Sequence, residues 1–198
     1  MKGRHLAYAI ALIVIFGSTL RAQTFSSGST GADGAIDLTT GDQTLQLPPS
    51  GILNVTTLNV PAGRTLRFLR NAANTAVVIL AQGDVTIGGV ITVTAVNEGP
   101  PNNSRTPGPG GFYGGLDNAN GFGPGGGIGN NHALRNGRWV GPLTLVPFIG
   151  GSGSAGTCGG PNTSGGGGGA IAIASSMAIV VGASGQISAN GQVVATVA

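Results

Sequence analysis

The sequence predicts an all-β chain, a short parallel β-helix interrupted by a long glycine-rich insertion. Three observations carry that prediction. Short runs of β-forming residues alternate with turn signals from residue 43 to 95. A later stretch, 173–191, repeats the apolar pattern of 79–99. No amphipathic helix of useful length interrupts either stretch. A β-sandwich built from the same strands is the alternative architecture.

Residues 1–22 come first and read as a secretory signal peptide. Lys2 and Arg4 supply a basic start, residues 6–17 form an uncharged apolar core, and a polar stretch ends on the small Ala22. That core is shorter than the roughly 20 residues a membrane span needs. Cleavage near Ala22 changes the charge arithmetic. Lys2, Arg4 and Arg21 leave, so Arg64, Arg67, Arg70, Arg105, Arg135 and Arg138 face Asp33, Asp37, Asp42, Asp84, Glu98 and Asp117. The formal charge of +3 falls to zero, and electrostatic capture of nucleic acid or anionic lipid loses most of its basis.

The strand runs are 44–47, 52–60, 65–69, 76–81, 85–87 and 90–94, separated by Pro-, Gly- and Asn-containing breaks. Alternation within them, as in Leu58/Val60, Leu66/Phe68, Val85/Ile87 and Ile91/Val93, turns one face toward a core. Val60 and Ile79, Leu66 and Val85, and Phe68 and Ile87 are each 19 apart, which suggests a repeat near 20 residues per circuit. A second correspondence places Ile79 on Ile173, Val85 on Ile179, Ile87 on Val181 and, after a two-residue gap, Ile91 on Ile187. The chain therefore divides into a signal peptide (1–22), first β-helix turns (23–98), an insertion (99–169) and further β-helix strands (170–198).

The insertion holds 25 of the 39 glycines and 8 of the 11 prolines. Two readings stand side by side. Glycine on this scale describes a flexible surface loop, or it permits close-packed polyproline-II strands where no side chain would fit. Phe112, Tyr113, Phe122, Trp139 and Phe148 all fall here, more aromatic content than a disordered linker usually carries.

The segment 165–191, GGGGGAIAIASSMAIVVGASGQISANG, resembles secreted glycine-rich repeat proteins of bacteria, in which a Gly-x-Ile-Ser-Ala-Asn-Gly strand follows an oligoglycine stretch. Here that strand is Gly185 to Gly191. The resemblance implies a right-handed parallel β-helix and an adhesin-like role at the cell surface or outside the cell. It carries over no catalytic residue, and this chain departs from the pattern in having no further repeats after Gly191.

Candidate chemistry is sparse. Asp33, Asp37 and Asp42 sit among Gly and Thr in GADGAIDLTTGD, where turn and strand-cap roles outweigh a calcium loop or acid/base work. Asp84 after Gly83 reads as an Asx-turn residue. His132 and the lone thiol Cys158 lack a motif for a nucleophile pair or a zinc site. Arg64, Arg67 and Arg70 read as turn and outer-face residues, with a site for a sulfated or acidic glycan as the alternative. Arg135, Arg138 and Trp139, with Phe112 and Tyr113, form the candidate contact patch, since an aromatic face beside planar guanidinium groups suits sugar rings or another protein. Val193, Val194 and Val197 make the terminal run an uncharged strand without proline, suited to head-to-tail assembly.

These residues predict a secreted bacterial cell-surface or extracellular-matrix protein, structural or adhesive, that assembles with itself. A glycan-binding module is the alternative, and a small polysaccharide-active β-helix enzyme comes third. No catalytic constellation, metal site or cofactor is assigned. The expected partners are copies of itself, in a homo-oligomer or fibre, or surface glycans and proteins; nucleic acid and a membrane span after signal removal are not expected.

Overall fold

The structure, a computed structural model, describes residues 24–96, 105–129, 134–141, 143–156 and 164–192. Eleven strands carry the architecture: β1 (Ile36–Asp37), β2 (Gln43–Gln46), β3 (Ile52–Val55), β4 (Leu58–Val60), β5 (Thr65–Leu69), β6 (Val77–Ala81), β7 (Val85–Ile87), β8 (Val90–Thr92), β9 (Ile171–Ser175), β10 (Ile179–Val181) and β11 (Gln186–Ser188). They form three sheets, ordered β1-β4-β7-β10, β2-β5-β8-β11 and β3-β6-β9. The chain visits the three in rotation, adding one strand to each before returning to the first. Every pairing between described strands is parallel, whereas the sandwich alternative requires antiparallel sheets. Among the described residues no helix is long and apolar enough to cross a membrane.

Register stacks like on like. Leu53 pairs with Ile79 and Ile79 with Ile173; Leu58 pairs with Val85 and Val85 with Ile179; Leu66 pairs with Ile91 and Ile91 with Ile187. The match between residues 79–91 and 173–187 is thus a strand register, Ile87 on Val181 included. The spacing of 19 is not. Val60 and Ile79 lie in different sheets, as do Leu66 and Val85, and Phe68 and Ile87. Before the insertion true partners stand 22 (Ile36, Leu58) to 27 (Leu58, Val85) residues apart, because turn lengths vary from round to round. The inward residues Val55, Val60, Leu66, Ile79, Val85, Ile87 and Ile91 are fully buried, each contributing about 1.5–3 kcal/mol of hydrophobic stabilisation.

The single run expected over residues 52–60 is two strands. Leu53 and Val55 point inward at odd positions, Leu58 and Val60 at even ones, so the chain turns a corner at Thr56 and Thr57. Gly34 closes that corner by accepting from the Thr56 N–H at 2.8 Å, and the Ile36 N–H donates to the Thr57 carbonyl at 3.0 Å.

Residues 26–34 cross the rounds as a strap. Ser27 Oγ donates to the Ala81 carbonyl at 2.7 Å, and the Ser27 N–H donates to Ser176 Oγ at 3.0 Å. Ser29 Oγ donates to the Val55 carbonyl at 2.9 Å. Asp33 then occupies the outer edge of β3, its N–H donating to the Asn54 carbonyl and its carboxylate accepting from the Asn54 N–H. At the first round Ile36, Leu38 and Leu47 are buried and Asp33 covers β3, while β1 and β2 are the outer strands of their sheets.

Between β8 and β9 the chain builds a second body without regular strands. In residues 150–156 the amides take three directions in turn. Gly150, Gly153 and Gly156 donate to Gly110, Phe122 and Ala119; Gly151 and Ser154 donate to Gly168 and Gly165; Ser152 and Ala155 donate to Arg138 and Arg135. A chain that repeats its bonding direction every third residue has three residues per turn, the geometry of polyproline II. Neighbouring backbones sit where side chains would be: a Cβ on Gly153 would meet the Tyr113 carbonyl, and one on Gly167 the Gly151 carbonyl. The described parts of the insertion are therefore a hydrogen-bonded bundle.

Asn74, at φ 50°, latches bundle to sheets. Its Nδ2 donates to the Gly111 carbonyl at 2.6 Å and its Oδ1 accepts from the Gly110 N–H at 3.2 Å. Gly169 and Ala170 complete the join, donating to Val93 and Pro109.

Candidate functional site

Four aspartates accept hydrogen bonds at the turns, three of them as caps on the backbone of the next round. Asp42 Oδ1 accepts from the Thr65 N–H at 2.9 Å, Asp84 Oδ1 from the Ala178 N–H at 3.1 Å, and Asp33 Oδ2 from the Asn54 N–H at 2.6 Å. Asp37 Oδ1 accepts from the Thr39 N–H at 3.1 Å and from Asn59 Nδ2 at 3.0 Å. These carboxylates sit at the ends of short strands because each leaves a backbone donor exposed at the turn. Among the described residues no group of three or more His, Cys, Asp or Glu side chains is placed to hold a metal ion.

The candidate contact patch divides. Arg138 and Trp139 line one groove of about 340 Å³, together with Asn136, Gln192, Ser152, Ser154 and the backbone of Gly165, Gly166, Gly167 and Gly168. Its position follows from the bundle. The Arg138 N–H donates to Gly125 at 2.9 Å and its carbonyl accepts from Ser152 at 3.4 Å, so the segment carrying the two side chains is fixed along one edge. On the other edge the Gln192 N–H donates to Gly166 at 2.8 Å. The floor is glycine backbone and the walls are one indole, one guanidinium and two amide side chains, with no carboxylate among the lining residues. Such a groove can stack a flat apolar ring face and hydrogen-bond hydroxyls or carbonyls around it.

Arg135, Phe112 and Tyr113 do not line this groove. Arg135 stands one turn earlier in the same segment, its carbonyl accepting from Ala155 at 2.8 Å. Phe112 lies inside the bundle, where its N–H donates to Gly151 and its ring occupies the space a Cβ on Gly123 would need. Tyr113 sits at the junction with the sheets, its ring under the Arg70 guanidinium at 5.0 Å, a cation–π contact. Sequence reasoning missed Asn136, Gln192 and the oligoglycine floor as groove members. Nothing in the spacing of Gln192 and Trp139 shows that the bundle folds one against the other.

A second feature lies at the far end of the sheets. Ile179, Val181 and Ile187 continue the inward stacks of Val85, Ile87 and Ile91, yet they are 46%, 53% and 45% exposed while those partners are fully buried. Strands β10 and β11 are the outer strands of their sheets. The Gly182 N–H donates to Ile87 and the Gln186 N–H to Gly89, so by alternation the amides of Val181 and Ile187 face away from the paired strand. Among the described residues the last round therefore presents both an apolar core and backbone without a strand partner. Val193, Val194 and Val197, with His132, Cys158 and residues 1–22, lie outside the described residues.

Against this geometry the comparisons with known proteins return nothing: no family model matches the chain, and no curated protein or solved structure does so either.

Proposed function

We propose that this chain is a structural protein of the bacterial cell surface or extracellular matrix, that its three sheets close into a short right-handed parallel β-helix, and that it assembles with itself through the open last round. The observation that carries the reading is the exposure of Ile179, Val181 and Ile187 in direct register with a fully buried core. An uncovered sheet edge with apolar side chains is a template for another chain.

The two ends are unlike, and this selects the mode of assembly. Asp33 occupies both the N–H and the carbonyl of Asn54 at the first round, and Leu38 and Leu47 are already buried there. Head-to-tail growth would press an apolar end against one whose apolar residues are already buried and whose third sheet is capped by Asp33. Two open ends match each other, giving a closed pair with the same residues contributed by each copy. Sedimentation velocity across a concentration series should show a dimer that saturates, and Val181→Lys with Ile187→Lys should return it to monomer. A wild-type chain that stays monomeric at every concentration would sink the proposal, and unlimited fibres would sink the end-to-end form of it.

A glycan-binding reading has its own support in the groove of Arg138, Trp139, Asn136 and Gln192. It predicts binding on a glycan array that Trp139→Ala removes and Tyr113→Ala leaves intact, since Tyr113 packs under Arg70 rather than in the groove. Loss with both substitutions, or with neither, contradicts it.

A further inference from the structure

Between Arg138 and Gly150 the chain leaves the bundle. Both ends of the excursion are anchored, Arg138 donating to Gly125 at 2.9 Å and Gly150 to Gly110 at 2.8 Å. The eleven residues between them, 139–149, read WVGPLTLVPFI, in which Thr144 is the single polar side chain and no charge occurs. Five of their large apolar side chains are turned outward: Leu143 is fully exposed, Val146 is 74% exposed, and Leu145, Val140 and Trp139 are about half exposed, while Phe148 and Ile149 are half-buried. An exposed apolar patch of this kind marks a contact with another protein or with a membrane.

We propose that this loop docks on a lipid surface, with Leu143, Leu145 and Val146 entering the acyl boundary, Trp139 at the level of the headgroups and Arg138 against lipid phosphate. The chain order sets the depth order. The most exposed apolar residues lie in the middle of the loop, and Trp139 and the exposed Arg138 lie at its anchored first end. This is the sequence of side chains that a bilayer interface sorts by depth. Reach is sufficient: five or six residues per leg at about 3.3 Å each extend further than the roughly 5–10 Å of an interfacial insertion. Charge does not oppose it, because residues 118–198 contain Arg135 and Arg138 and no acid. Apolar insertion carries the contact, with the arginine adding a preference for anionic headgroups; the net-neutral mature chain gives no long-range attraction.

A second copy is the competing occupant, since an apolar groove of about 270 Å³ lined by Ile128, Leu134 and Val140 lies beside the loop. Val140 belongs both to that groove and to the base of the loop. Leu143, Leu145 and Val146 are not among the residues lining that groove, so the most exposed part of the loop is left for lipid.

Trp139 is the chain's only tryptophan, so its fluorescence reports on the loop alone. The full chain is titrated with vesicles of phosphatidylcholine and with vesicles of phosphatidylcholine mixed with phosphatidylglycerol. A blue shift is expected with both, with quenching by lipids brominated high on the acyl chain. Leu143→Asp with Leu145→Asp should weaken vesicle binding at least about tenfold. Arg138→Gln should weaken it about fivefold on the mixed vesicles only. No shift and no quenching with either vesicle overturns the proposal without any variant needing to fold. A blue shift that grows with protein concentration in the absence of lipid also overturns it and assigns the loop to a second copy. Vesicle binding by a chain that sediments as a monomer would uphold the loop and reject the end-to-end assembly, so the two readings fail separately.

Discussion

Asn71 shows how single side chains hold rounds of unequal length together. It is buried, its Nδ2 donating to the Pro48 carbonyl at 2.6 Å and to Thr75 Oγ1 at 2.7 Å, while its Oδ1 accepts from the Thr75 N–H at 3.1 Å. Asn71→Ala leaves those groups without partners and should cost about 1–3 kcal/mol, measurable as a lower urea midpoint with an unchanged slope. Glycines give a sharper contrast. A Cβ on Gly153 would meet the Tyr113 carbonyl, while one on Gly41 meets nothing within 4 Å. Gly153→Ala should lower the thermal midpoint, whereas Gly41→Ala should leave it unchanged or slightly raised; equal effects would contradict the packed bundle. At this scale the sequence was partly legible. The turn and cap roles of Asp33, Asp42 and Asp84 follow from their Gly and Thr neighbours, but their partners, Asn54, Thr65 and Ala178, depend on which round lies alongside.

Among the elements, strands of the sheets were readable where alternation persists, and β5 and β7 have the bounds their sequences predict. The corner at Thr56 and Thr57 was written as a change of parity, Leu53 and Val55 against Leu58 and Val60, within an unbroken run of strand formers. β1 was missed because two residues among turn formers make no alternating signal. The spacing of 19 misled because it joins apolar positions of different sheets, while the offset of 94 from Ile79 to Ile173 succeeded because the insertion leaves and returns at one corner. The bundle itself was only half legible. Glycine content allows polyproline-II packing, but the three-way rotation of amides in 150–156 depends on four neighbouring segments. Asn74→Ala removes the latch on Gly110 and Gly111. It should speed amide exchange across 105–115 and 150–156 while β4 and β5 amides keep their protection; uniform loss of protection would mean that bundle and sheets are one cooperative unit.

For the molecule as a whole, the asymmetry of its ends matters most. The strap of 26–34 ties successive rounds and caps β3 of the first; nothing comparable covers Ile179, Val181 and Ile187 among the described residues. The apolar residues of the last round were visible in the sequence as copies of buried ones. Their exposure was not, because a repeat looks the same whether or not another follows it. Residue-resolved amide exchange, recorded over a concentration series, tests the proposed assembly most directly. The amides of Val181 and Ile187 should exchange freely in dilute protein and gain protection as concentration rises, with β4 and β5 unaffected. Free exchange at every concentration would contradict assembly through this end.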